Sequence, residues 1–261
     1  MNEGSGNLVQ DYSGNGNHGT CMNMSPQSAT SGWGPGPHGS AVYLDGSNDY
    51  IVAGVSPILR PTAFTISVTF TLLGVSASNY QAIVSNTVYG HYYGYGLMVG
   101  PAAKIRMSVQ SSSASSYTAI PNDGYQLSFN RKYIVMVTYN YRELNLYIDN
   151  ILVAQVITPV TIAYETGDNF RIGSFAGTPG AGAYFNGLVS DVGLYNCALT
   201  AQEGMDLYRS PYCMFNYDPY PAWMYPVGGS TTNPRIIDVS DKWCRGGLVA
   251  RDSELNRVIY A

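Results

Sequence analysis

Asn2-Glu-Gly-Ser-Gly-Asn-Leu-Val-Gln-Asp11-Tyr-Ser-Gly-Asn-Gly-Asn-His-Gly-Thr20 and Phe185-Asn-Gly-Leu-Val-Ser-Asp191-Val-Gly-Leu-Tyr-Asn-Cys-Ala-Leu-Thr200-Ala-Gln-Glu203 stand at opposite ends of the first two hundred residues of this chain. The first is an Asx- and glycine-rich stretch, a composition that turns a chain and satisfies its backbone locally. The second reads as a strand over 187–195 followed by a capping box. In that box Thr200 and Glu203 satisfy each other's free backbone donors at a helix start. The helix is predicted to be short, because Ser210-Pro211 stops it.

Between these two stretches the chain alternates with period two. Phe64, Ile66, Val68, Phe70 and Leu72 interleave with Thr65, Ser67, Thr69 and Thr71, as in a strand with one wet face. Ile105, Met107 and Val109 alternate with Lys104, Arg106 and Ser108 in the same way. Leu144, Leu146 and Ile148 run into Asp149-Asn150, a turn dipeptide tolerant of φ > 0, and Ile151 to Ile157 returns as the second arm of a hairpin. Further short strands are predicted near 41–44, 50–53, 81–85, 133–139 and 169–174. Many short strands with alternating faces imply an all-β fold, an antiparallel two-sheet β-sandwich, because each sheet must bury one face against another.

At 261 residues the chain carries 29 Gly and 23 Tyr but only 11% charged residues, with a net charge of −4. Soluble domains average about 25% charged residues, so this surface is built from Ser, Thr, Asn and Tyr instead. The absence of a Lys/Arg run argues against nucleic acid as a partner, since phosphate binding needs a basic stripe. No apolar stretch reaches the ~20 residues of a membrane span, and no charged-then-apolar leader opens the sequence, so no cleavable signal peptide is expected. Cysteines at 21, 197, 213 and 244 lack zinc-type spacing. They can pair in three ways or serve as buried thiols; the reading here favours thiols.

The opening stretch resembles the start of laminin-G-like jelly-roll domains of the concanavalin A-like lectin/glucanase superfamily. There an Asn-Glu-Gly-Ser-Gly segment, here Asn2 to Gly6, leads to an Asp-x-Ser-Gly-Asn loop, here Asp11 to Gly19. Tyr43-Leu44-Asp45-Gly46-Ser47-Asn48-Asp49-Tyr50-Ile51 resembles the next family block, and Gly187 to Thr200 resembles the closing one. The resemblance covers about 2–212 and implies a jelly roll with one short helix. The stretch Leu207 to Phe215 also resembles phage-encoded members.

Residues 213–261 then form an aromatic strap and a C-terminal appendage, either a tail on its own domain or a contact arm for a neighbouring subunit. Related domains enter Asn-Glu-Gly-Ser-Gly from a short apolar strand, where this chain has only Met1. Arg235–Val239 and Asn256–Ala261 are the strand-like segments expected to fill that place.

Two sites are expected. The Asp11–Gly19 loop offers oxygens from Asp11, Asn15 and Asn17, and Asp191 on the closing strand is placed beside them; the resemblance implies a structural Ca²⁺ there in some members. The alternative is an Asx-rich turn that satisfies itself. The second site is Val88-Tyr89-Gly90-His91-Tyr92-Tyr93-Gly94-Tyr95-Gly96. Rings of Tyr89, Tyr92, Tyr93 and Tyr95 with His91 suit either stacking on a sugar or a protein interface, or they pack on the sheet.

Catalysis has no footing in the sequence. The five Glu, at 3, 143, 165, 203 and 254, make no glucanase-type Glu-x-Asp-x-x-Glu motif, and Asp45 with Asp49 is the only close acid pair within a family block. The expected function is a non-enzymatic, lectin-like surface module contacting glycans, such as a phage virion decoration or a tail or adhesion protein. The alternative is a purely structural capsid or tail component that packs against neighbouring subunits and binds no sugar. Either way it is expected at a virion or extracellular surface, as part of an oligomer or larger assembly.

Overall fold

A computed structural model describes residues 3–24, 27–28, 31–36, 39–91, 93–112, 115–119, 125–157, 160–165, 169–177 and 183–210, together with 251–252 and 257–258. The chain divides into two units, Met1–Ala198 and Leu199–Ala261. That division falls ahead of residue 212, where the sequence reading set it.

The first unit is a sandwich of two eight-stranded sheets, numbered here in chain order. One sheet runs β1 (Leu8–Val9), β2 (Gly19–Met22), β6 (Tyr50–Gly54), β15 (Phe170–Ile172), β8 (Gln81–Asn86), β9 (Tyr93–Val99), β10 (Ile105–Ser112) and β11 (Ser115–Ala119). The other runs β14 (Ile151–Ile157), β13 (Glu143–Ile148), β12 (Lys132–Tyr139), β7 (Phe64–Gly74), β16 (Asn186–Tyr195), β5 (Gly39–Asp45), β4 (Ser31–Gly36) and β3 (Gln27–Ser28). Neighbouring strands pair antiparallel throughout both sheets.

The alternation in the sequence becomes the core. Phe64, Ile66, Val68, Phe70 and Leu72 of β7 are all buried, and they meet Ile105, Met107 and Val109 of β10 and Leu144, Leu146 and Ile148 of β13 in one cluster. Each such side chain contributes about 1.5–3 kcal/mol on burial. The other face of β7 is drier than expected: Thr65 and Thr69 are 0% and 2% exposed. β7 is a central strand, flanked by β12 and β16, and the Thr65 hydroxyl donates to the Cys197 carbonyl at 2.8 Å.

The β13–β14 hairpin closes as predicted, with Asp149 and Asn150 at φ of 50° and 65°, both in the left-handed region a two-residue turn of this type requires. Asp149 then braces the turn, accepting from the Ile134 amide at 3.1 Å and from Arg131 at 2.6 Å.

The second unit is described by its own elements. Its helix α1 (Ala201–Arg209) starts at the expected capping box: Thr200 Oγ1 accepts from the Glu203 amide, and the Glu203 carboxylate accepts from the Thr200 amide at 2.7 Å. It ends at Ser210, before Pro211. Strands β17 (Arg251–Asp252) and β18 (Arg257–Val258) pair with each other in a two-stranded sheet. Of the expected strand 256–261 the structure describes Arg257–Val258, whose partner is Arg251–Asp252. Arg235–Val239 lies outside the described residues. Among the described residues, no helix is long and apolar enough to cross a membrane.

The cysteines do not behave alike. Cys21 is a buried free thiol, its pKa pushed up to about 11 by burial, with the charges of Glu3 and Asp49 adding to the effect. Cys197 is disulfide-bonded, which corrects the expectation of thiols throughout.

Candidate functional site

The outer face of the first sheet carries a groove of about 280 Å³ over β9 and β10, bordered by the loops before and after β8. Its floor follows from the parity of β9. Tyr95, Leu97 and Val99 point into the core, so Gly94, Gly96 and Met98 face outward. On β10 the same logic turns Arg106, Ser108 and Gln110 outward, with Gly96 opposite Ser108 and Met98 opposite Arg106. A Cβ on Gly96 would stand 3.0 Å from the Met98 methyl and 3.8 Å from both Phe175 and Thr87. The missing side chain is what keeps the floor low.

Loops build the two ends. At one end Tyr80 lies under the Arg106 guanidinium, which sits 3.4 Å from the ring centroid, while Arg106 Nε donates to the Met98 sulfur at 3.1 Å. At the other, Tyr89 packs on Phe175 with centroids 5.7 Å apart. Backbone hydrogen bonds from Tyr89 to Ala176 at 3.0 Å and from Ala176 to Thr87 at 2.9 Å lash these two loops together. His91 Nδ1 is 2.7 Å from Glu165 at the rim. Thr87 Oγ1 lies 3.4 Å from both Gln110 Oε1 and the Val88 carbonyl, so its one proton serves either. The result is an aromatic wall, a flat floor and a few oriented polar groups, the composition of small-ligand sites.

The predicted tyrosine cluster therefore divides. Tyr89 and His91 line the groove. Tyr93 opens β9 opposite Ser111, half-buried and outside the groove lining. Tyr92 lies outside the described residues. Tyr95 is a core residue, which corrects its assignment as a contact residue: it is 0% exposed, packs 4.9 Å from Phe64, and donates its hydroxyl to the Leu59 carbonyl at 3.0 Å. Burial raises its phenol pKa well above the usual range. Sequence reasoning missed Tyr80, Arg106, Gln110 and Phe175. The outward half of the β10 alternation held a signal for Arg106 and Gln110, but nothing local tied them to Tyr80 or Phe175.

The expected metal ligands come from different sheets. Asp11 follows β1, at the edge of the first sheet. Asp191 sits within β16 of the second sheet; its neighbours Val192 and Leu194 pack on the core from the strand's other face. Asp11 instead clasps its own loop, Oδ1 accepting from the Ser13 amide at 2.9 Å and Oδ2 from the Asn17 amide at 2.8 Å. Partial burial pushes its pKa up, but the hydrogen bonds from Ser13 and Asn17 and the nearby His18 outweigh it, so the net shift is downward. Asn15 turns its side-chain amide onto the Ser13 hydroxyl at 2.9 Å. Among the described residues no three His, Cys, Asp or Glu side chains are grouped to hold a metal. Asp11 and Asn15 thus make the self-satisfied Asx-rich turn that stood as the alternative to a metal loop.

Asp45 and Asp49 likewise form a clasp. Asp45 Oδ1 accepts from the Ser47 amide at 2.8 Å, and Asp49 Oδ2 accepts from the Asp45 amide at 3.2 Å. Asp49 is 1% exposed, so no substrate reaches it.

Two stacked antiparallel sheets with a groove on one outer face define a jelly-roll sandwich of the lectin type. The chain belongs to the laminin-G-like family of the concanavalin A-like lectin/glucanases superfamily, whose profile matches residues 45–203. No curated protein sequence matches. Among solved structures, the chain is similar to domain 4 of AbnA, a GH43 extracellular arabinanase from Geobacillus stearothermophilus in complex with arabinotriose. The identity is 15%, the TM-score 0.53, and 73% of this chain and 87% of that chain are covered. It is also similar to a Trypanosoma rangeli sialidase in complex with the inhibitor DANA, at 16% identity and TM-score 0.51, over 75% of this chain but 30% of that chain. A third similar structure is the Ruminococcus gnavus IT-sialidase CBM40 bound to alpha2,3 sialyllactose, at 15% identity and TM-score 0.49, over 58% of this chain and 85% of that one. The likenesses to the arabinanase domain and the Trypanosoma rangeli sialidase support the fold.

Proposed function

We propose that the chain is a non-catalytic, lectin-like module that binds glycans in the groove on the outer face of its first sheet. The observation that carries this reading is the pairing of an aromatic wall, Tyr89 on Phe175, with a floor opened by Gly96. A flat ring stacks on the C–H face of a pyranose while Gln110 and the backbone offer hydrogen bonds to its hydroxyls. The family, and the arabinotriose in the similar arabinanase domain, support the same reading. Non-catalysis is supported by the groove lining, which among the described residues includes no Asp or Glu and has the single carboxylate of Glu165 beside His91, whereas glycosidic cleavage uses a pair of carboxylates. An extracellular or particle surface is the location the Cys197 disulfide supports, since such bonds persist in oxidising surroundings.

A glycan array tests the reading. The protein is expected to bind a subset of glycans, and Tyr89→Ala to weaken that binding at least about tenfold, a loss of about 1.4 kcal/mol, with the fold intact. A second reading, subunit packing without sugar, is favoured by the edge strand β14, where Ile151, Leu152 and Ile157 are exposed. Silence across the array, together with a concentration-dependent oligomer, would decide for that alternative.

A further inference from the structure

The charge inside the groove runs against the charge of the chain. The protein carries a net charge of −4, yet among the described residues Arg106 and His91 are the only ionisable groups other than tyrosine that line the groove. His91 has an acidic neighbour in Glu165. Arg106 has none within salt-bridge distance among the described residues. Its guanidinium is half-buried, and burial disfavours its charged form. The Tyr80 ring below it and the Met98 sulfur beside it compensate only in part, because neither carries a formal charge. A second arginine on the same sheet face, Arg171, repeats the arrangement: it lies over the Tyr50 ring at 4.8 Å and donates to the Phe175 carbonyl at 3.0 Å, also without a carboxylate among the described residues.

A guanidinium held flat on an aromatic ring is preorganised as a fork for one planar anion, and carboxylate fits that fork bidentately. Removing the cation partly from water without giving it a counter-ion leaves a free-energy cost that an arriving carboxylate offsets. The position suits a sugar acid. Arg106 faces Met98 across the ladder and Gln110 faces Gly94, so the two polar groups stand about 14 Å apart along β10, the reach of a short oligosaccharide. Tyr89 and Phe175 flank the Gln110 end.

We infer that this groove selects acidic saccharides, with a sugar carboxylate seated on Arg106 and a neighbouring ring stacked at Tyr89. The inference rests on the glycan-binding reading above and names the ligand class of that same site. His91 and Glu165 close the opposite end, so the acidic residue has one orientation in the groove.

The test is calorimetric titration of the intact protein with matched probes: lactose against 3′-sialyllactose, and galactotriose against trigalacturonate. Sulfated lactose serves as an anion without a carboxylate. The acidic member of each pair is expected to bind at least about tenfold tighter. Arg106→Gln should weaken the acidic probes at least about tenfold more than the neutral ones, and Arg106→Lys should restore part of that difference. Unchanged melting temperatures for both variants exclude misfolding. Equal affinity for acidic and neutral members, or an Arg106→Gln loss shared by both, overturns the inference but leaves glycan binding standing. Sulfated lactose binding as tightly as the carboxylates overturns the carboxylate assignment. Binding of none of the probes, with a silent glycan array, overturns the glycan reading itself.

Discussion

The two faces of β9 carry opposite jobs on one short strand. Tyr95, Leu97 and Val99 face inward and are fully buried among the side chains of both sheets. Gly96 faces outward, beside Met98, and leaves room where a side chain would otherwise stand, while Gly94 at φ +74° lets the Asn86 backbone approach closely. The inner face stabilises by filling space and the outer face functions by leaving it open. Substitutions on the two faces should therefore fail differently: inner ones in stability, outer ones in binding.

The largest expected effect is on the inner face. Tyr95→Ala should cost about 3–5 kcal/mol in chemical denaturation, as large aromatic truncations in packed cores do. Tyr95→Phe should cost only about 1 kcal/mol, because the Leu59 carbonyl keeps its second donor, Asn86 Nδ2 at 2.7 Å. A Tyr95→Ala protein with wild-type stability but lost glycan binding would break the division between the faces.

A smaller effect is expected at Asp49. Burial raises its carboxyl pKa, the charge of Asp45 adds to this, and hydrogen bonds from Ser31 and the Asp45 backbone oppose it. The folded protein thus holds this proton more tightly than the unfolded chain. Asp49's contribution to stability is most favourable below the ordinary carboxyl value, about 4, and is lost as pH rises through the raised folded value. Asp49→Asn should flatten that part of the pH dependence, read as urea midpoints across the acidic range. An identical slope in the variant would remove Asp49 from the account.

The fold was legible because alternation is a direct print of burial. β7, β10 and β13 each place apolar side chains at every second position, and the hairpin turn and capping box have chemistry that local sequence determines. β9 was not legible as a strand. Glycines at 94 and 96 weaken the strand signal, and the tyrosines around them resemble a binding tip. The same glycines turned out to mark the groove from within a central strand. The rest of the site is non-local: Tyr80 precedes β8, Arg106 lies on β10, and Phe175 follows β15. Only sheet order brings them together. Asp11 follows a strand of the first sheet and Asp191 lies in the second, since family blocks that bracket a sequence need not share a sheet.

The most direct test of the central claim is to fill the floor from the outer face of β9, away from the cluster between the two sheets. Gly96 has no left-handed backbone constraint, and a side chain there meets first the flexible end of Met98. Gly96→Leu should keep the wild-type melting temperature to within a few degrees while glycan-array binding falls by at least about tenfold. Full retention of binding by a folded Gly96→Leu protein would contradict the account, because the groove over β9 would then not be where sugar sits.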